Sequence, residues 1–154
     1  LTNVKGYAAD VRSEKSIAKA VAKLTYAFAN ANVPKVNVIT GEAYGSAYVT
    51  MNSKALGADV TYAWPDASIG MMDANEAAKI MYADDIAKSA DVQSVISEKA
   101  AEYAALQSGV ESAAARGYVD TIINPEDTRK YVAAAFEMLY TKREDRPDKK
   151  HGTV

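Results

Sequence analysis

Apolar residues recur at Ile17, Ala20, Val21, Leu24 and Phe28, the spacing of one helix face, with Ser13 placed as the N-cap. Ahead of them, residues 2–10 read as a polar lead-in. Pro34 drives the residue before it out of the α region, so the helix should stop near Asn32. Residues 35–39 (KVNVI) then alternate, with β-branched Val36, Val38 and Ile39, and predict a strand. Residues 41–44 read as a turn or loop and 45–54 as a short helix. Strands are expected at 59–63 and 68–72, separated by a turn at Trp64-Pro65, and Asp73 should cap a helix reaching about Tyr82. Residues 91–116, rich in Ala and Glu, predict one helix broken near Ser108-Gly109. A strand over 118–123 follows. Asn124-Pro125 then opens an amphipathic helix to about Lys142, Pro suiting the first helical position, and a charged tail ends the chain. Helices alternating with strands point to a layered α/β fold.

Composition narrows the function classes. A chain of 154 residues predicts one domain, or a piece of a larger one, able to bury roughly 70% of its unfolded surface. Hydrophobic residues make up 49% and charged ones 25%, which is globular rather than disordered. The net charge of −2, with both signs interspersed, offers nucleic acid no footprint. The absence of cysteine excludes disulfides, thiolate zinc sites and a thiol nucleophile, and suits a reducing compartment. No apolar run is long enough to span a bilayer. His151, the sole histidine, lies in the charged tail, which argues against a Ser-His-Asp triad or a histidine metal site. Adjacent carboxylates at Asp84-Asp85 and Glu144-Asp145 point apart if helical, as a solvated surface does. Met51, Met71 and Met72 read as core filling. The chain opens on Leu1 rather than Met, so residues are expected upstream.

The passage with chemical potential is VITGEAYGSAYVTMNSKALGADVTYAWPDASIGMM. A strand ending at Thr40 leads to small residues at Gly45, Ser46 and Ala47, where a ligand or a backbone can approach closely. A helix starting there leaves its first N–H groups without intrahelical partners, an arrangement able to stabilise a developing oxyanion. Close packing of helix on sheet calls for the same small residues, and spacing alone favours that reading.

Residues 26–72 also resemble the carboxyltransferase subunits of biotin-dependent acyl-CoA carboxylases and decarboxylases. The likeness lies in Val33-Pro34-Lys35-Val36, Ala43-Tyr44-Gly45-Ser46-Ala47-Tyr48, Met51-Asn52-Ser53-Lys54, Gly57-Ala58-Asp59 and Tyr62-Ala63-Trp64-Pro65. Arg116-Gly117-Tyr118-Val119-Asp120, Ile122-Ile123, Pro125 and Thr128-Arg129 resemble the later strand and final helix. Arg146-Pro147 with Lys150-His151-Gly152 resembles the C-terminal signature. Gly45-Ser46-Ala47 and Gly70-Met71-Met72 look closest to the methylmalonyl-CoA decarboxylase and bacterial propionyl-CoA carboxylase types.

The resemblance implies an α/β fold of the crotonase (ClpP/crotonase) type. Residues 1–154 would form the C-terminal carboxyltransferase domain, without its leading strands and without the N-terminal acyl-CoA-binding half. It implies carboxylate transfer between carboxybiotin, borne on a biotin carboxyl carrier, and a coenzyme A thioester of the propionyl or methylmalonyl kind. It implies a cytoplasmic homo-oligomer of a hexameric family, completed by the acyl-CoA-binding half or upstream polypeptide. No metal is implied. The Ser46 and Ala47 amides would hold the biotin carbonyl oxygen; many relatives carry a second glycine in place of Ser46, and the backbone donor survives that change. Gly45, Tyr44 and Tyr48 flank this turn, the tyrosines either touching ligand or packing the helix. Val49 resembles the position bordering the acyl pocket, or is helix core. Trp64 and Pro65 either wall the biotin pocket or form a core tryptophan beside a turn. Lys149-Lys150 either reach a CoA phosphate or are simply solvated. Two other readings stay open. One is a crotonase-fold hydratase or isomerase, which needs an acid–base carboxylate near the turn, where only Glu42 lies. The other is a non-catalytic assembly piece.

Overall fold

The computed structural model of the chain describes residues 1–149 and 152, and its centre is one long strand. Val36–Tyr44 (β2) pairs in parallel with Thr2–Val4 (β1), with Val60–Ala63 (β3) and with Ser68–Gly70 (β4). Ala43 is opposite Val4 on one edge and Ile69 on the other, so β4 continues along the β3 side of β2. Thr121–Ile122 (β5) pairs with β3, giving the order β1-β2-β3-β5 with β4 off the path. Parallel neighbours need crossovers, and helices supply them. Val11–Glu14 (α1) and Ile17–Asn30 (α2) join β1 to β2; Gly45–Thr50 (α3) and the 3-10 turn Lys54–Leu56 join β2 to β3. Ala74–Met81 (α4), Ala83–Lys88 (α5), Val92–Tyr103 (α6), the π-helical Ala104–Ser108 and Val110–Ala115 (α7) link β4 to β5. The 3-10 turn Pro125–Asp127 and Thr128–Met138 (α8) follow.

Val38 and Ile39, successive on β2, point to opposite faces and seed two cores. Ile39, Ala43, Tyr48, Ile69, Val110 and Val119 fill one; Val38, Tyr62, Ile123 and Ala135, flanked by Trp64, Tyr131 and Val132, fill the other.

Several boundaries differ from the sequence expectation. The polar lead-in contains β1, whose buried Thr2 donates to the Asn37 amide oxygen at 2.7 Å. The helix expected behind Ser13 starts at Ile17 with Ser16 at its N-cap; Ser13 lies inside the short α1 capped by Asp10, which accepts from the Arg12 and Ser13 amides and from the Ser13 hydroxyl. The expected turn at 41–44 is strand, because β4 pairs with Glu42, Ala43 and Tyr44. The last carbonyls of α2 are met from afar: the buried Lys35 ammonium donates to Phe28 at 2.9 Å and Arg146 to Ala29. Burial, then the Lys142 and Arg146 charges, hold Lys35 below the ordinary lysine range. Lys150 and His151, and any role for them in the tail, lie outside the described residues.

Candidate functional site

Strand β2 runs without a loop into α3, and Gly45 makes the corner at φ 59°. A Cβ there would sit 2.9 Å from the Met71 carbonyl, so both conformation and space require glycine. The Met71 carbonyl is close because β4 pairs Gly70 with Tyr44. Beneath the corner, the buried Tyr44 hydroxyl donates to Ser68 Oγ at 2.8 Å, and Ser68 donates in turn to the Ser108 carbonyl at 3.3 Å. That relay fastens the α6–α7 junction to the sheet.

Above the corner is a cavity of about 440 Å³. Gly45, Ser46, Tyr48 and Val49 form one wall, Ile69, Gly70 and Met71 another, and Tyr103, Gln107 and Arg116 a third across from α3. The size falls in the usual range for small-molecule sites, roughly 300–1,000 Å³. Val49 is 38% exposed, as befits a residue on a cavity rather than in helix core. Tyr48 is 7% exposed and its buried hydroxyl has no partner among the described residues. Burial first, and then the nearby Tyr118, push that phenol above its ordinary pKa, so it remains a protonated donor.

Other expected residues lie elsewhere. Ala47, third in α3, is buried and is not among the residues lining the cavity. Trp64 turns from the cavity to the second core, where its indole N–H donates to Thr128 Oγ1 at 2.9 Å; Pro65 beside it is exposed. The turn at Trp64-Pro65 links β3 to β4 and faces α8, so neither residue walls this cavity. Met71 is 76% exposed at the cavity edge rather than core. Tyr103, Gln107 and Arg116 have no marker in the local pattern, because α6 and α7 reach the turn only through tertiary packing.

A parallel α/β layer of the crotonase type, with a glycine corner opening onto a cavity, is the class this architecture defines. The solved transcarboxylase 12S, a hexamer core holding methylmalonyl-coenzyme A and methylmalonic acid, superposes with a TM-score of 0.92 at 42% identity, over 98% of this chain and 29% of that one. The β subunit of geranyl-CoA carboxylase from P. aeruginosa shares the fold at a TM-score of 0.79 and 24% identity, over 98% of this chain and 29% of that one. The carboxyl transferase domain family matches residues 1–154, and the chain belongs to it. A putative propionyl-CoA carboxylase beta chain of Bacillus subtilis (strain 168) is 48% identical over 99% of this chain and 30% of its own length. The methylmalonyl-CoA carboxyltransferase 12S subunit of Propionibacterium freudenreichii subsp. shermanii is 42% identical over 99% and 29%. The chain thus spans about 30% of the length of these relatives. Among the described residues no helix is long and apolar enough to cross a membrane.

Proposed function

We propose that this chain is the biotin-facing part of an acyl-CoA carboxyltransferase, moving carboxylate between biotin and the α carbon of a propionyl- or methylmalonyl-type CoA thioester. The observation that carries the reading is the Gly45 corner, which brings the start of α3 to the wall of a cavity. The residues present fit biotin: Val49, Ala55, Ile69 and Ala113 offer apolar surface to a small bicycle, and the helix start offers N–H donors to its carbonyl oxygen. Bound carboxybiotin, delivered by a carrier protein, supplies the carboxylate in activated form. The Ser46 and Ala47 amides hold that oxygen and stabilise the charge that gathers there, while Gly45, Tyr48 and Val49 shape the space around it. The acyl-CoA-binding half comes from the remainder of the enzyme, in a homo-oligomer of the kind the 12S relative forms.

A hydratase or isomerase is less well supported. Glu42 does not line the cavity, and it pairs with Lys5 at 3.2 Å. In a complete carboxyltransferase containing this chain, Ala47→Pro removes one donor at a first-turn position. Transfer from carboxybiotin should fall on the order of 10²-fold or more. A normal rate, in a variant whose thermal unfolding matches the parent, would refute the assignment.

A further inference from the structure

The polar side chains lining the cavity are Ser46, Tyr48, Tyr103, Gln107, Arg116 and Tyr118. Every one can donate a hydrogen bond, and none is acidic. Arg116 is the single charged group among them, and among the described residues no carboxylate lies within ion-pair distance of it. Its backbone is held firmly. The Gly117 N–H donates to the Ala114 carbonyl at 2.9 Å and the Tyr118 N–H to Ala113 at 3.0 Å, the paired bonds of a Schellman motif. Gly117 takes the required left-handed conformation at φ 81°. Arg116 and Tyr118 therefore flank a rigid helix stop, and both reach the same cavity. On the facing wall the Tyr48 hydroxyl is a buried donor with no acceptor. An exposed cation and the half-exposed Tyr118 at the cavity rim, with the buried Tyr48 donor inside and no anion among the described lining residues, describe a site that lacks its negative partner.

We infer that Arg116 anchors the carboxylate being transferred, with the phenols of Tyr48 and Tyr118 completing its recognition. The inference rests on the proposed carboxyltransferase reading. The shared chemistry is a carboxylate, which can arrive on the α carbon of a dicarboxylic acyl thioester or on a biotin nitrogen. A guanidinium suits either, since its fork matches the two oxygens. Arg116 is a positioning residue that holds the group.

The test uses the complete carboxyltransferase with Arg116→Gln and Arg116→Lys. Calorimetric binding of methylmalonyl-CoA is compared with that of propionyl-CoA, which lacks the carboxylate. If the thioester carries the carboxylate to Arg116, the Gln variant binds methylmalonyl-CoA on the order of tenfold more weakly. Propionyl-CoA binding stays the same, and Lys restores part of the loss. If the carboxylate arrives on biotin, both thioesters bind normally, and the KM for the carboxylated carrier rises in the Gln variant with partial recovery in Lys. Equal weakening toward both thioesters, or no change in either thioester or carrier, overturns the inference. Because the thioester comparison requires no turnover, a parent enzyme that transferred no carboxylate would sink the functional reading; in that case a selective loss of methylmalonyl-CoA binding would still support Arg116, and unchanged thioester binding would overturn it.

Discussion

Gly45 and Gly117 both hold positive φ, at 59° and 81°, yet a methyl group would meet different surroundings at each. At Gly117 a Cβ finds open space, so Gly117→Ala should cost only the conformational term, about 1–2 kcal/mol. At Gly45 it meets the Met71 carbonyl, a backbone atom tied to β4, and cannot be accommodated by a side-chain rotation. Gly45→Ala should therefore destabilise more than Gly117→Ala in urea unfolding; equal losses would mean that the contact at Met71 is unimportant. Val49, on the cavity wall, should govern which acyl group is accepted. Val49→Ile or Val49→Asp is expected to shift the ratio of activities on acetyl-, propionyl- and longer acyl-CoAs by roughly 10–200-fold. An unchanged ratio in a normally folded variant would count against that role. The sequence brings Gly45, Ser46, Tyr48 and Val49 together because the pattern is local, one corner and one short helix. Of the two readings of Trp64, the structure favours the core one, because its neighbour across space is α8; Tyr103, Gln107 and Arg116 are invisible to the local pattern because their approach depends on how α6 and α7 fold back.

At the level of elements, the segment after α8 is tied to the start of β3. Lys142 donates to both Asp59 carboxylate oxygens, at 2.8 and 3.0 Å, and to the Val33 carbonyl at 3.3 Å, and it pairs with Glu144 at 3.3 Å. Asp59 in turn accepts from the Lys35 amide at 2.7 Å. Burial pushes the Asp59 carboxyl up, but the Lys142 and Lys35 hydrogen bonds and their charges outweigh it and hold the group below its ordinary value. A carboxylate depressed in the folded state contributes stability above its unfolded pKa, and that contribution is lost as pH falls through the folded one. Melting temperatures should therefore drop below about pH 4 in the parent, with that component absent in Asp59→Asn. Parallel acid limbs in the two proteins would contradict the coupling. The limits of β2 show why element ends are harder to read than elements. Residues 41–44 carry Gly and Glu, which suggest a turn, and become strand because β1 on one side and β4, more than twenty residues on, on the other offer them partners. The cap expected at Ser13 moves as well: Ser13 is taken into the short α1 that Asp10 caps, and α2 starts at Ile17 with Ser16 at its N-cap.

For the whole molecule, the alternation of helix and strand was sufficient to indicate an α/β layer, whereas the order β1-β2-β3-β5 depends on pairings that no single segment encodes. The same view exposes an unfinished surface. Helix α2 has fourteen residues, an apolar face including Leu24 at 39% exposure, and no buried residue. Ile80, Met81, Leu106, Phe136 and Met138 are also exposed. Apolar area of this kind associates when uncovered. The isolated 154-residue chain should be inactive in carboxyl transfer and either oligomeric or poorly soluble by light scattering. A monodisperse, active monomer would be incompatible with the proposed role.

Strand β2, paired along both edges, also sets the tempo at which the site can loosen. Many ligand-binding turns belong to segments that open locally at little cost in free energy. Here the corner continues a strand whose partners reach Ala43 on one side and Tyr44 on the other, so freeing it requires separating the centre of the sheet. In hydrogen–deuterium exchange the amides of residues 38–44 should be among the slowest in the chain, with protection extending nearly to the corner. Donors mounted on such a scaffold keep their aim between turnovers.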